Sequence, residues 1–385
     1  MEYQYTRRVL SSLSGEQCDA YVILTTHPYR PLSVSLGGLS HGAMLSWPAE
    51  VLPQLTRPGS GLGWLDQNMI TWIASINFVG CMAGSLLAAP LMKVMSPRVL
   101  IGFSSLCTSL SWLMVGLSNS PITLCVSRVT LGCGNAIIMA SAPSYVAMVA
   151  PTNCRGALSS CYGLFLCLGL IYSVALGITI SWSALSLIAS IPSITLFLSS
   201  PFLFNPSKSC TTNTESHQVI APQQAVPKVD RPLLLFIYLA AMYTLSGVCP
   251  LGTFAEMLFP DERTFKASEL ILASLVCQIV GGLVGAAAID KLGRKPVLQA
   301  GAWLCLLSNI LLSLYFSTVT DQHMCPTRPG SVLCWTPAVA TCTFFFGFGG
   351  GLGNIFFVLL GEVSQISVVS NYKDNFGIAV DPSRI

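Results

Sequence analysis

The segment AIDKLGRKPVL, residues 288–298, places four charged side chains within the six positions from Asp290 to Lys295. Apolar runs flank the segment, from Ala267 to Ile289 before it and from Val297 to Phe316 after it. Each run has roughly the twenty residues that a helix needs to cross a bilayer core. The segment therefore predicts a short polar turn that joins two membrane-spanning helices.

The composition places the rest of the chain in a membrane as well. Charged residues make up 9% and hydrophobic residues 52% of the 385 residues, and the mean hydropathy is +0.67. The net charge of +3 is too small to indicate a nucleic-acid partner. The first thirty residues show no apolar core with a cleavage site, so we predict no removable signal peptide. We predict an all-α integral membrane protein embedded in the lipid bilayer.

The fifteen cysteines do not indicate a metal site or a cofactor. Most of them lie inside apolar runs, where Cys behaves as a small hydrophobic residue. No CxxC pair supplies the ligand spacing of a zinc site, and we predict neither a metal nor a cofactor. Cys325 and Cys334 share a short polar loop, and a disulfide is possible there if the loop is extracytoplasmic.

Apolar runs of suitable length, each with at most one charged residue, predict ten transmembrane helices. They are Leu32 to Leu52, Met69 to Met92, Val99 to Leu117, Pro121 to Val149, Ala157 to Ile180, Trp182 to Phe204, Pro232 to Phe254, Ala267 to Ile289, Val297 to Phe316, and Trp335 to Leu360. The fifth and sixth runs are nearly continuous, but together they are too long for one crossing, so we predict a turn near Ser181.

Lysine and arginine positions predict the orientation of these spans. If the N-terminus is cytoplasmic, twelve such residues fall in inside segments before the last span and four in outside segments. This predicts that 1–31 is a cytoplasmic segment, 32–204 a six-helix bundle, 205–231 a cytoplasmic linker, 232–363 an incomplete bundle of four helices, and 364–385 a tail. Two bundles with a polar linker are typical of transporters that bind a small molecule near the midplane.

Glycine pairs accompany these spans. Gly80 with Gly84, Gly281 with Gly285, and the run Gly347 to Gly353 either let helices pack closely or allow them to break. The sequence alone leaves both interpretations open.

Five motifs resemble the sugar porter family of the major facilitator superfamily, particularly the insect facilitated trehalose and glucose transporters. They are DKLGRKP from Asp290, RVTLGCGNA with PSYVAMVAPTNCRGAL from Arg128 to Leu158, LSGV from Leu245, GLGNIFFVLLGEV from Gly351, and GAMLSWPAEVLPQL at the exit of the first span. The resemblance implies a two-bundle fold of twelve helices, of which this chain supplies ten. The segment after Val363 is neither long nor apolar enough for two more spans.

The resemblance implies transport of a sugar, a hexose or trehalose, by facilitated diffusion through alternating access in the plasma membrane. The missing helices leave an alternative, a truncated, transport-inactive or regulatory member of the same family. An enzyme is not expected, because no nucleophile-base arrangement, phosphate-binding glycine loop or metal cluster stands in a plausible site.

The resemblance also implies a cytoplasmic gate. Asp290, Arg294 and Glu362 match the family's charged network of the second half, and Arg155 matches that of the first half. Met148 stands where the family has the acidic neighbour of Arg155. The alternative is that these charges only mark membrane boundaries.

The family's solute pocket maps onto Gln278, Tyr243, Thr244 and Phe357, which we predict to bind substrate unless they only pack the helices. Gly163 and Cys249 stand where the family has amides, so the remaining wall is less polar than a typical hexose site.

His41, Glu50 and Arg128 are ionisable residues that lie inside predicted spans. Arg128 is either a functional group or an anchor at the outer interface. His41 is expected to be a hydrogen-bonded structural residue, and Glu50 to lie close to the outer surface. The proton-coupled relatives carry an Asp near the position of Ser40, and its absence here favours passive transport.

Overall fold

A computed structural model describes residues 29–56, 66–149, 155–203, 230–254, 258–259, 266–320, 332–353 and 355–356. Within these ranges the ordered elements are helices and no strand occurs, so the predicted all-α class is confirmed. In the described part of the chain, six helices are long and apolar enough to cross a membrane. Two shorter apolar helices, Cys161–Gly177 and Ile237–Thr253, accompany them.

The first half of the chain forms six helical units. They are α1 (Tyr29–Thr56), α2 (Gln67–Val94), α3 (Pro97–Gly116), α4 (Pro121–Val149), α5 (Arg155–Gly177), and α6, which consists of Trp182–Ala189 and Ile191–Ser199 and ends in a 3₁₀ turn, Ser200–Phe202. The turn predicted near Ser181 is present. Ser181 caps α6, its hydroxyl oxygen accepting a hydrogen bond of 3.4 Å from the backbone N–H of Ala184.

The second half contributes four helical units. They are α7, which consists of Asp230–Leu245 and Val248–Thr253, α8 (Ala267–Leu292), α9 (Arg294–Thr320), and α10 (Val332–Phe348), which continues as a π-helix, Gly349–Gly353. The continuous seventh span predicted from hydropathy is wrong in one respect, since α7 breaks within LSGV. Gly247 has φ +90° there, a left-handed conformation that glycine adopts without a steric penalty.

In the charged segment between α8 and α9, a single residue lies outside the two helices. α8 ends at Leu292, Gly293 has φ +85°, and α9 begins at Arg294. The Gly293 N–H donates to the Ile289 carbonyl at 2.9 Å, which satisfies one of the free carbonyls at the end of α8. Lys291, Arg294 and Lys295 are exposed, as expected for a polar turn.

Helix pairs in the two halves pack in the same way through glycine. A Cβ atom placed on Gly80 of α2 would overlap the Val129 carbonyl oxygen of α4. A Cβ on Gly281 of α8 would likewise overlap the Phe346 carbonyl oxygen of α10. Among the interpretations left open by the sequence, close packing therefore applies to Gly80 and Gly281, because only glycine allows this backbone separation.

The core consists of clusters within and between the halves. Trp47 and Trp112 lie in a cluster built from the first-half helices. A second cluster joins Ala49 of α1 and Val174 of α5 to residues of α7 to α10, so the two halves share an apolar interface. Large apolar side chains such as Trp303 and Leu86 are exposed, as expected on a surface that faces lipid.

The predicted linker 205–231 lies almost entirely outside the described residues, and the predicted domain limits stay predictions.

Candidate solute-binding site

A cavity of about 180 Å³ lies where the first half meets the second. Helices α5, α7, α8 and α10 form its wall. Its lining residues are Cys161, Gly163, Leu164, Leu166, Cys167, Tyr243, Gln278, Ile279, Gly282, Leu283, Ala286, Phe348, Gly349 and Gly353. A site between two bundles is where transporters of repeated halves bind their solute.

A smaller cavity of about 50 Å³ lies next to the first along α8. It is lined from Ile271 and Leu275 of α8, whereas the larger cavity is lined from Leu283 and Ala286, closer to the polar turn at Gly293. Four residues line both cavities, and we call them the septum: Leu166, Tyr243, Gln278 and Phe348. The septum therefore stands between two spaces that lie toward opposite ends of the bundle.

Gln278 is the most polar member of the septum. Its side chain is only 6% exposed, and its amide oxygen Oε1 is buried without a hydrogen-bond partner among the described residues. A buried polar atom without a partner costs about 1–3 kcal/mol, and a hydroxyl group of a bound solute would remove that cost. Gly349 keeps α10 close at this point, because a Cβ there would overlap the Gln278 backbone oxygen.

Tyr243 gives the septum an aromatic wall. Its ring packs edge-on against Phe348 with 5.0 Å between centroids, and lies 4.9 Å from the ring of Phe356. Such aromatic pairs are favourable beyond the area that they bury. The aromatic contacts hold the phenol at the junction of the two cavities.

Comparison with known proteins identifies the architecture. The profile described as Major Facilitator Superfamily matches residues 18–367. The chain belongs to this superfamily. Mouse "Solute carrier family 2, facilitated glucose transporter member 6" is 23% identical over 373 residues, which cover 85% of this chain and 74% of that protein. The bovine facilitated glucose transporter member 8 is 23% identical over 380 residues, covering 87% and 78%.

A plant relative and a solved structure agree with this assignment. "Sugar transporter ERD6-like 8" of Arabidopsis thaliana is 22% identical over 341 residues, covering 79% of this chain and 71% of that protein. A partially occluded inward-open structure of the xylose transporter XylE from E. coli matches the fold with a TM-score of 0.66 at 16% identity, covering 89% of this chain and 90% of that one. The resemblance to sugar porters inferred from the motifs is confirmed.

Of the four predicted pocket residues of this major facilitator protein, two line the cavities, one does not, and one is not described. Gln278 and Tyr243 come together in the septum. Thr244 is exposed, lines neither cavity, and donates its hydroxyl hydrogen to the Ala240 carbonyl of its own helix at 3.0 Å. Phe357 lies outside the described residues. The septum also includes Leu166 and Phe348, which sequence reasoning missed because apolar residues in an apolar run carry no local signal.

The predicted gate is only partly within the described part of the structure. Arg294 is exposed at the first position of α9. Asp290 lies in the last turn of α8 and Arg155 begins α5, but their side chains lie outside the described part, as does Glu362 altogether. The latch among these four residues stays a prediction.

Arg128 of α4 is buried inside the protein, which excludes the interface anchor, one of the two alternatives that the sequence left open. Its side chain is 0% exposed, and its guanidinium donates to Asn77 Oδ1 at 3.2 Å and to the Met44 carbonyl at 3.4 Å. The guanidinium also lies over the Trp47 ring. A carboxylate ion pair to Arg128 does not occur within the described residues, so the charge is stabilised by dipoles and an aromatic face.

His41 and Glu50 of α1 are also buried. His41 Nδ1 has no hydrogen-bond partner among the residues that the structure describes, and a hydrogen-bonded structural role for His41 stays a prediction. Glu50 is buried, and Gly177 of α5 approaches its side chain so closely that a Cβ would lie 2.6 Å from the Glu50 Cβ. Neither His41 nor Glu50 lines the two cavities described here.

Proposed function

We propose that this protein carries a sugar across a membrane by facilitated diffusion with alternating access. The observation that carries the proposal is the buried Gln278 amide oxygen at the septum, where the two halves meet. The printed names of the relatives, facilitated glucose transporters and sugar transporters, support sugar as the solute. The Gln278 acceptor has no partner among the described residues and lines the same cavities as Tyr243, an arrangement that suits a ligand with both hydroxyl groups and a carbon face.

The size of the larger cavity favours a single sugar ring over a disaccharide. An engineered protein cavity of about 150 Å³ holds one benzene ring. The cavity of about 180 Å³ is therefore large enough for one six-membered ring but small for two. We accordingly place a hexose before trehalose as the solute.

In the proposed alternating access, the septum separates the cavity that is open from the cavity that is closed. The two cavities lie on either side of it, so rocking of one half against the other would open one cavity while it closes the other. In this proposal Asp290, Arg294, Glu362 and Arg155 form a latch at the cytoplasmic ends of the helices. Pairing of these charges in one state only would bias the equilibrium between the two states.

We propose that transport is passive. Among the described residues that line the cavities, none carries a carboxylate or an imidazole that could accept a proton during transport. The buried charge of Arg128 also lacks a carboxylate partner in the described part of the chain. In the described lining of the two cavities, a proton gradient would therefore find no carboxylate or imidazole to protonate.

The proposed location is the plasma membrane with a cytoplasmic N-terminus. The excess of Lys and Arg in alternate loops supports this orientation, because such residues are retained on the cytoplasmic side. In this orientation the exposed turn at Gly293 and the larger cavity lie toward the cytoplasm.

The test is uptake by the full chain in proteoliposomes. Labelled glucose and labelled trehalose are supplied separately, with and without a pH gradient. The expected result is saturable uptake that favours glucose and does not respond to the gradient. Accumulation driven by the gradient would overturn passive transport, and no uptake of either sugar by inserted protein would overturn sugar transport.

A further inference from the structure

The wall of the larger cavity offers few hydrogen-bonding side chains. Among the described lining residues, the Gln278 amide and the Tyr243 phenol are the only strong hydrogen-bonding groups, and Cys161 and Cys167 add two weak thiols. The remaining lining residues are apolar side chains and glycines. The described part of the cavity wall is therefore polar on the side of Gln278 and apolar elsewhere.

A fully hydroxylated pyranose does not match this wall. Glucose carries five hydroxyl groups, each of which can donate one hydrogen bond and accept others. The Gln278 amide and the Tyr243 phenol can form hydrogen bonds with only some of these hydroxyl groups. Leu164 and Leu283 of this wall are 39% and 60% exposed, so the cavity is open in this state. Each hydroxyl group that is left without a partner when the cavity closes around the solute is expected to weaken binding about fivefold or more.

We infer that the cavity prefers a single-ring sugar with fewer free hydroxyl groups than glucose, such as a deoxyhexose. The hydroxylated edge of this solute faces Gln278, and its deoxygenated edge faces Leu164 and Leu283. This inference rests on the proposed function, because it names the substrate class of the same site. The preference comes from removing unpaired hydroxyl groups, since the apolar wall itself adds no directional contact.

A competition experiment tests the preference. The full chain in proteoliposomes takes up labelled glucose in the presence of unlabelled 1-deoxy-, 2-deoxy-, 3-deoxy- or 6-deoxyglucose. We expect at least one deoxy analogue to compete about fivefold or more better than unlabelled glucose. If every analogue competes no better than glucose, the inference is wrong while sugar transport stands.

Two variants at Gly163 test whether the wall sets the preference. Gly163 of α5 lines the larger cavity, as does Gln278 of α8. Gly163→Gln adds a second amide to the wall, and Gly163→Met adds a side chain of similar size without hydrogen-bonding groups. We expect Gly163→Gln to bind glucose better relative to the preferred analogue, by about fivefold, and Gly163→Met to leave that ratio unchanged or lower it. The same change of ratio in both variants would overturn the role of polarity.

A binding measurement separates the two possible failures. The shift in the unfolding temperature of the detergent-solubilised protein is measured with glucose and with each deoxy analogue. Larger stabilisation by a deoxy analogue supports the inference even where flux is slow. Equal stabilisation by all sugars overturns only the inference. Absence of both uptake and stabilisation by any sugar overturns the proposed function and the inference with it.

Discussion

The guanidinium carbon of Arg128 lies 4.6 Å from the centre of the Trp47 ring, in a site that water does not reach. Trp47 is held in turn by Ser186, whose hydroxyl oxygen accepts a hydrogen bond of 2.8 Å from the indole Nε1–H. Helices α1, α4 and α6 are thereby joined through one aromatic side chain. A buried cation on a tryptophan face is stabilised by about 2 kcal/mol or more.

Trp47→Phe is expected to lower the free energy of unfolding by about 2–3 kcal/mol, because it removes the indole donor and weakens the contact with the cation. Thermal unfolding in detergent measures the loss. The control is Trp303→Phe, since Trp303 is 63% exposed, and this change is expected to have little effect. Equal losses in both variants would contradict the role of Trp47 in holding Arg128.

Gln278→Met keeps the approximate size of the side chain and removes the amide. We expect the KM for glucose uptake to rise about tenfold, because the solute loses a hydrogen bond in the septum. Initial rates in proteoliposomes over a range of glucose concentrations give the KM. Gln299→Met is the matched control, since Gln299 is exposed on α9 and lines neither cavity. An unchanged KM in Gln278→Met would move the solute site elsewhere.

Neighbouring glycines on α8 provide a sensitive test of helix packing. Gly281→Ala would force its Cβ into the Phe346 carbonyl oxygen, whereas the Cβ of Gly282→Ala would lie 3.7 Å from the Gly349 carbonyl oxygen, an ordinary contact. Gly281→Ala is therefore expected to destabilise the protein by about 1–3 kcal/mol, because backbone must shift. Gly282→Ala should fold as the wild type does. Thermal unfolding of the two variants decides, and the reverse order of stability would refute the packing described for α8 and α10.

Arg294→Ala tests the proposed cytoplasmic latch. Loss of the charge should destabilise the state in which the cytoplasmic side is closed, and so change the ratio of sugar efflux to influx severalfold, within the few kcal/mol that such a latch contributes. Lys295→Ala is the control, because Lys295 is an exposed cation at the next position. If Arg294→Ala leaves the transport rates and the sugar affinity unaltered, or if both variants change equally, the latch is contradicted. The charged residues would then only mark the membrane boundary.

Hydropathy and charge predicted most of the helices because length and polarity determine what crosses a bilayer. The turns at Ser181 and Gly293 were predictable from the sequence. A polar residue interrupts the apolar run at Ser181, and a charged segment interrupts it at Gly293. The break at Gly247 was not, because a positive φ leaves no trace in hydropathy. Its motif, LSGV, had suggested only family resemblance.

The candidate site was predictable only in part, for a related reason. Gln278 was predicted from the family resemblance, because it stands where the family has an amide in its solute pocket. Phe348 joins it in the septum only because α10 packs on α8 through glycine. Arg128 was visible as a charge inside a span, but its burial depends on Trp47 and Asn77, which lie on other helices.

The glycine contacts between helices affect how the solute preference of such a protein can change through substitutions. The distance between α8 and α10 is set by backbone meeting backbone at Gly281, so side chains on the cavity wall do not determine it. If the cavity binds the solute as proposed, substitutions at Leu164 or Leu283 are expected to change the solute preference while the helix spacing is preserved. In a laboratory selection for a new cargo, we expect adaptive changes to accumulate at such wall positions while Gly80 and Gly281 remain fixed.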